Sequence, residues 1–183
     1  MQHVEVIKLG DREFVPFITE AEIKKAIDKI AGEISLCYKS ENPLFLCVLK
    51  GAVFFATDLV RSIDFPTELT FIRVASYNNL SSTEDIKVLQ PLIEPVGQRD
   101  VVVIDDVLDT GHTYNALKNI LLEQGARSVR LACLLYKPKA TKYAGMKPDF
   151  AGIEIGNDFV VGYGLDYNEM GRTLKDIYIV KND

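Results

Sequence analysis

Val101-Val-Val-Ile104-Asp105-Asp106-Val-Leu-Asp109-Thr110-Gly111-His112-Thr113 is the stretch from which the rest of the chain is read. Its four leading β-branched apolar residues predict a strand buried on both faces, of the kind found mid-sheet in parallel α/β domains. Three carboxylates, Asp105, Asp106 and Asp109, follow within five residues, and Thr110-Gly111-His112-Thr113 then opens a helical pattern. A buried strand that feeds a polar loop at its carboxyl end is where open α/β sheets hold ligands. Gly111 permits close backbone approach, and successive N–H groups at a helix N-terminus, backed by the hydroxyls of Thr110 and Thr113, form a cradle for a phosphate monoester. The Asp105-Asp106 pair cannot bind that phosphate and suits hydroxyls or a divalent cation instead. Phosphate and diol recognition side by side point to a ribose 5-phosphate. Capping carboxylates or a receiver-type phospho-acceptor pair would leave residues 107–113 unexplained.

Outside this stretch, 183 residues with 48% hydrophobic and 26% charged content suit one soluble domain, 1–183, with a sizeable core. A net charge of −5 argues against a protein devoted to nucleic acid, whose phosphates require basic surface. The three cysteines, Cys37, Cys47 and Cys133, are odd in number and widely spaced in apolar surroundings. They are expected to be buried thiols in a reducing compartment. With only His3 and His112, a His-rich zinc site is not expected. The longest apolar run, Leu44–Leu49, is far too short to span a membrane. The charged N-terminus does not read as a signal peptide, so a cytoplasmic location and no membrane partner are expected.

Residues 1–18 read as extended, with Pro16 confining them to an edge or loop. Thr19 and Glu22 form a capping-box pattern. Ile23, Ala26, Ile27, Ile30, Ala31 and Ile34 then recur at helical spacing over about four turns. Leu44–Leu49 is a buried strand running into Lys50-Gly51 and an apolar helix to about Ile63. Thr67–Ala75 and Ile86–Leu89 are predicted strands on either side of the polar loop Ser76–Asp85. The helix after the opening strand is predicted over Thr113–Gln124, with Leu117, Ile120 and Leu121 buried and Gly125 beyond its end. Ser128–Tyr136, Pro148–Ile155, Phe159–Tyr163 and Ile177–Val180 complete the strands. Strands alternating with helices predict an α/β fold with a mostly parallel central sheet flanked by helices, and the terminal segments form a small lobe over one edge. No Gly-x4-Gly-Lys-Ser/Thr loop, Gly-x-Ser-x-Gly elbow or His-Glu-x-x-His helix occurs, which removes those chemistries.

Val101–Thr113 resembles the phosphoribosyl-diphosphate (PRPP) signature of the type I phosphoribosyltransferases. Leu46-Cys-Val-Leu-Lys50-Gly51, Phe71-Ile-Arg73, Ser76-Tyr77, Asp85-Ile-Lys87-Val88, Lys137, Lys147-Pro-Asp149-Phe150 and Phe159-Val-Val-Gly-Tyr-Gly-Leu-Asp166-Tyr-Asn-Glu169 are similar to the hypoxanthine-guanine members of that family, in the same order. The resemblance covers most of the chain from Leu44 to Val180. One departure is Asp105, where the family often has Glu.

The resemblance implies the PRPP-fold α/β domain and a reaction that joins a 6-oxopurine, hypoxanthine or guanine, through N9 to C1 of PRPP with release of pyrophosphate. It places Asp105 and Asp106 at the ribose hydroxyls and near one Mg²⁺, and Thr110, Gly111, His112 and Thr113 at the 5-phosphate. Asp166 is assigned to a second Mg²⁺ bound to pyrophosphate, and also to the purine site. Lys50, Gly51, Arg172, Ser76 and Tyr77 are assigned to the pyrophosphate, and the Leu49–Lys50 peptide can be cis. Asp109 becomes the general base at purine N7, a position where it could equally be a helix N-cap. Lys137, Phe159 and Val160 contact the base: Phe159 stacks on it and Val160 reads it through its backbone. An ammonium group only donates hydrogen bonds, so Lys137 suits a 6-oxo acceptor and opposes adenine's 6-amino group. The family also implies that loop 76–85 closes over the site to exclude water and that the chain forms a homodimer or homotetramer. A nucleotide-sensing regulator on the same fold, or a transferase acting on adenine, orotate or uracil, are the competing readings. Asp109 and Lys137 favour the purine-salvage enzyme.

Overall fold

The computed structural model describes residues 6–39, 41–76 and 86–181. Its elements are β1 (Ile7–Leu9), β2 (Arg12–Ile18), α1 (Glu20–Tyr38), β3 (Leu44–Leu49), α2 (Val53–Ser62), β4 (Glu68–Ser76), β5 (Ile86–Gln90), β6 (Asp100–Leu108), α3 (His112–Glu123), β7 (Ser128–Tyr136), β8 (Phe150–Glu154), β9 (Val160–Val161) and β10 (Ile177–Val180).

The opening strand, β6, lies inside a six-stranded sheet of order β5-β4-β3-β6-β7-β8. All its pairings are parallel except that of β4 with β5. Because side chains alternate across a strand, the two apolar runs at its centre divide between two cores. Phe45, Cys47, Val102 and Ile104 face α1 and α2, while Leu44, Leu46, Val101 and Val103 face α3. Each of these eight side chains is fully buried, and each contributes roughly 1–3 kcal/mol of hydrophobic stabilisation. The parallel arrangement has a consequence for function. β3, β6 and β7 end on the same edge of the sheet, so Lys50, Asp109 and Lys137, the residues that follow them, emerge together.

Thr19 caps α1 as its sequence predicts. Its hydroxyl accepts from the Glu22 N–H at 3.3 Å, and the Glu22 carboxylate accepts from the Thr19 N–H at 2.9 Å, a device worth about 1 kcal/mol. All six predicted core positions are buried, and Tyr38 extends the stripe so that the helix runs 19 residues, about five turns rather than four. Cys37, expected to be buried, is exposed. Position 37 falls two turns beyond Ile30, on the apolar side of α1, but in the last turn before the helix ends at Tyr38. Cys47 and Cys133 are buried as expected, and burial pushes the Cys47 thiol up to about 12. In α3 the stripe is Tyr114, Leu117 and Leu121, with Ile120 only half-buried.

The terminal segments form the small lobe, a four-stranded antiparallel sheet of order β1-β2-β10-β9. β2 is an inner strand of this sheet, contrary to the edge position expected from Pro16. Pro16 is accommodated because β1 pairs only with Arg12–Phe14, leaving Pro16 beyond its end and opposite the irregularity at Ile177/Tyr178. The predicted strand Phe159–Tyr163 shortens to Val160–Val161 because Gly162 and Leu165 exchange backbone hydrogen bonds in a tight turn, at 3.0 and 3.1 Å. Among the described residues no helix is long and apolar enough to cross a membrane.

Candidate active site

The loop after β6 is built as its sequence suggested, with one correction. The N-cap of α3 is Gly111, at φ +86°, so Asp109 lies outside the helix and does not cap it. A side chain at Gly111 would be strained by that backbone and would run into the Met146 sulfur. The segment behind the loop braces it. The Thr110 carbonyl accepts from the Lys142 N–H at 3.0 Å, Thr141 Oγ1 donates to the Asp109 carbonyl at 3.3 Å, and His112 Nδ1 lies 2.8 Å from Tyr143 Oη. The result is a small cavity of about 70 Å³ lined by Asp105 and residues 107–114. A groove of about 310 Å³ between α1, α2 and Tyr163 is larger and holds none of the predicted site residues.

Asp105 and Asp106 are adjacent and partly buried. The Asp106 N–H donates to Asp105 Oδ1 at 3.0 Å, and the Val107 N–H donates to Asp106 Oδ1 at 2.8 Å. Burial, and then the neighbouring Asp106 charge, hold Asp105 well above the usual carboxylate range. Burial also raises Asp106, against hydrogen bonds and the Arg172 charge that act in the opposite direction. Such a pair is relieved by a cation or by hydroxyl donors. Gly51 explains itself here: a Cβ on it would overlap the Asp106 carboxylate. The Leu49–Lys50 peptide before it is cis.

Asp109 and Lys137 meet at the ends of β6 and β7. Lys137 Nζ donates to Asp109 Oδ2 at 3.0 Å; the lysine side chain is 8% exposed and the aspartate 46%. A donor and an acceptor thus stand side by side at the sheet edge, next to the loop that leads into α3.

The remaining cations come from two places. Lys50 follows β3, and Arg172 lies in the loop between β9 and β10. Arg172 is fixed by the Gly164 carbonyl at 2.8 Å and by Asp166 Oδ1 at 2.7 Å, while Asp166 Oδ2 accepts from the Glu169 N–H at 2.8 Å. Glu169 joins the two cations, with Oε1 2.8 Å from Lys50 Nζ and Oε2 3.0 Å from Arg172 Nη2. Hydrogen bonds from Lys50 and then Arg172 hold its carboxyl below the usual range. No role for Glu169 was legible in the sequence, where a single acid within the loop between β9 and β10 carries no signal of its own.

Val160 lies in the small sheet and Phe159 immediately precedes it. The Phe159 ring is 40% exposed and packs against Tyr167, edge-on at 5.9 Å, and against Phe14 at 6.4 Å. Val160 pairs with Ile179 and its side chain is buried. Ser76 is the last residue of β4; Tyr77 and the rest of the expected lid, 77–85, lie outside the described residues.

These groups can be set beside known proteins. The phosphoribosyl transferase domain family matches residues 18–168. The bifunctional protein TilS/HprT of Listeria innocua is 40% identical over 165 residues; the match takes in 90% of this chain, which spans only 25% of that longer protein. The hypoxanthine-guanine phosphoribosyltransferase of Bacillus subtilis is 39% identical over 165 residues, 90% of this chain and 91% of its own. A crystal structure of a hypoxanthine phosphoribosyltransferase from Staphylococcus aureus superposes with a TM-score of 0.86 at 30% identity, covering 91% of this chain and 90% of that one. The match reaches from the start of α1 through the loop that holds Asp166, and so takes in β3, β6 and β7 and the residues that follow them, while Arg172 and β10 lie beyond it. The chain belongs to the phosphoribosyl transferase family, among its hypoxanthine-guanine phosphoribosyltransferases.

Proposed function

We propose that this chain transfers the 5-phosphoribosyl group of PRPP to N9 of hypoxanthine or guanine, giving IMP or GMP and pyrophosphate in purine salvage. The observation that carries the reading is the ammonium of Lys137 held 3.0 Å from the Asp109 carboxylate, beside a phosphate loop and a carboxylate pair. A donor next to an acceptor matches an edge that offers an acceptor next to a donor, namely O6 and N7–H of a 6-oxopurine. Adenine's 6-amino group would leave the buried ammonium without its acceptor, a mismatch of roughly 1–3 kcal/mol.

In this reading Asp109 takes the N7 proton as the N9 lone pair forms the bond to C1 and the C1–oxygen bond to pyrophosphate breaks. Thr110, Gly111, His112 and Thr113 hold the 5-phosphate, and Asp105 and Asp106 the ribose hydroxyls. Lys50, Gly51 and Arg172, with Ser76 and Tyr77, receive the pyrophosphate. Phe159 stacks on the base, and Val160 meets its edge through the backbone. Among the described residues no group of three or more His, Cys, Asp or Glu forms a metal cage. That fits Mg²⁺, which binds through one or two carboxylates together with substrate oxygens. Asp105 and Asp106 would hold one such ion and Asp166 a second, and they would neutralise charge on the departing pyrophosphate. Residues 1–183 are read as one domain because Ile18, Val160 and Ile177 of the small sheet share an apolar cluster with α1, α2 and the large sheet. Exposed Phe54 and Phe71 support a homodimer or homotetramer, and free cysteines suit the cytoplasm. The test is one assay with PRPP and Mg²⁺ and hypoxanthine, guanine, xanthine and adenine in parallel, read by pyrophosphate release. Turnover with hypoxanthine or guanine and not with adenine is expected; no turnover with any base refutes the enzyme.

A further inference from the structure

The Glu169 carboxylate stands on the same two cations that the proposed function assigns to pyrophosphate. One oxygen is 2.8 Å from Lys50 Nζ, and the other is 3.0 Å from Arg172 Nη2 and 3.3 Å from its Nε. These cations come from distant parts of the chain, and Glu169 is the carboxylate that both of them share. Its backbone is set by a left-handed turn, with Asn168 at φ +51° and Glu169 at φ +64°, a region that Glu seldom occupies. The Glu169 N–H is anchored on Asp166 at 2.8 Å. The side chain itself is 66% exposed, so it can swing into water without moving the turn. Arg172 keeps its bonds to the Gly164 carbonyl and to Asp166 when Glu169 leaves.

We propose that Glu169 is a built-in counter-anion of the pyrophosphate subsite. It neutralises Lys50 and Arg172 when the subsite is empty, yields them to a diphosphate, and returns as pyrophosphate departs. A diphosphate carries more charge and more acceptor oxygens than one carboxylate, so it wins the exchange, but its net affinity is lowered by the contacts Glu169 gives up. Glu169 therefore acts through Lys50 and Arg172 as a positioning residue that favours product release. This inference rests on the assignment of those cations to pyrophosphate.

The test titrates the full-length chain and its variants with inorganic pyrophosphate, with and without Mg²⁺, by calorimetry. In E169Q and E169A the cations lose their competitor, and because the pairs are largely solvent-exposed the Kd is expected to fall about threefold to tenfold. KM for PRPP and kcat should fall together, since slower release limits turnover; a carboxylate that merely scaffolded the loop would raise KM instead. K50A and R172A are measured alongside. If both weaken pyrophosphate binding while E169Q and E169A leave it unchanged or weaker, the counter-anion role is refuted. If neither K50A nor R172A changes the Kd, the subsite itself is misassigned and the proposal fails with it.

Discussion

Lys137→Met removes the charge on which base selection depends and keeps a side chain of similar length in the same packing. Lys137 is 6% exposed, and its Nζ donates to Asp109 Oδ2 at 3.0 Å. Two consequences of different size follow. Stability changes little: the Asp109 carboxylate is 46% exposed and regains water, so the loss is at most about 1 kcal/mol, or up to about 4 °C in Tm for a chain of this length. Catalysis changes more. A hydrogen bond from a charged donor to O6 is worth about 1.5–3 kcal/mol, which at 1.36 kcal/mol per tenfold lowers kcat/KM for hypoxanthine about 10- to 150-fold. Adenine loses no such bond and escapes a clash between donors, so its kcat/KM stays level or rises. The ratio of the two bases should therefore collapse by at least the hypoxanthine factor. Steady-state kinetics on both bases, with a thermal melt as control, reads all three quantities. A loss under about threefold with hypoxanthine, or an equal loss on both bases, would refute Lys137 as the reader of position 6.

Asp109→Asn keeps an oxygen for Lys137 but no proton acceptor; kcat should fall about 10²- to 10⁴-fold while PRPP affinity, measured by calorimetry, holds. An unchanged kcat removes Asp109 from the mechanism. In Gly51→Ala the new methyl overlaps the Asp106 carboxylate, an overpacking cost of about 1–3 kcal/mol that should appear mainly as a higher KM for PRPP, with the far-UV circular dichroism unaltered. At the opposite end of β6, Asp100 is held well below the usual carboxylate range, first by its hydrogen bond to Arg127 and, against the effect of burial, by Ser128. A depressed folded value means that its stabilisation is complete above the unfolded value of about 3.9 and is lost as pH falls toward the folded one. Asp100→Asn should cost about 1–2 kcal/mol in urea melts at pH 7, with the difference shrinking below about pH 4. A constant gap across that range would disprove the linkage.

Much of the architecture could be read directly because its determinants are local. The apolar positions of α1 identify its buried face, and Thr19 with Glu22 marks its start. The fully apolar runs 44–49 and 101–104 can be satisfied only by burial on both sides, which places them in mid-sheet. What failed depended on distant partners. The inner position of β2 follows from its pairing with β10, more than 150 residues later. Two local readings failed as well: Cys37 is exposed in the last turn of α1 although its spacing from Ile30 puts it on the apolar side, and Asp109 is not a cap because Gly111 is.

The site divides along the same line. By itself the sequence determined that a loop after a buried strand carries a carboxylate pair, a third acid and a glycine between hydroxyls, because those groups sit in nine consecutive residues, 105–113. Only the tertiary structure decided which of those acids meets which partner. Asp109 faces Lys137, 28 positions away, because β6 and β7 run parallel and end on one edge. Asp106 packs against Gly51, and Glu169 reaches back 119 positions to Lys50. Local composition sets which groups are available, but hydrogen bonds and ion pairs act over about 3 Å, and it is the folding of the sheet and the small lobe that brings such distant residues within that range.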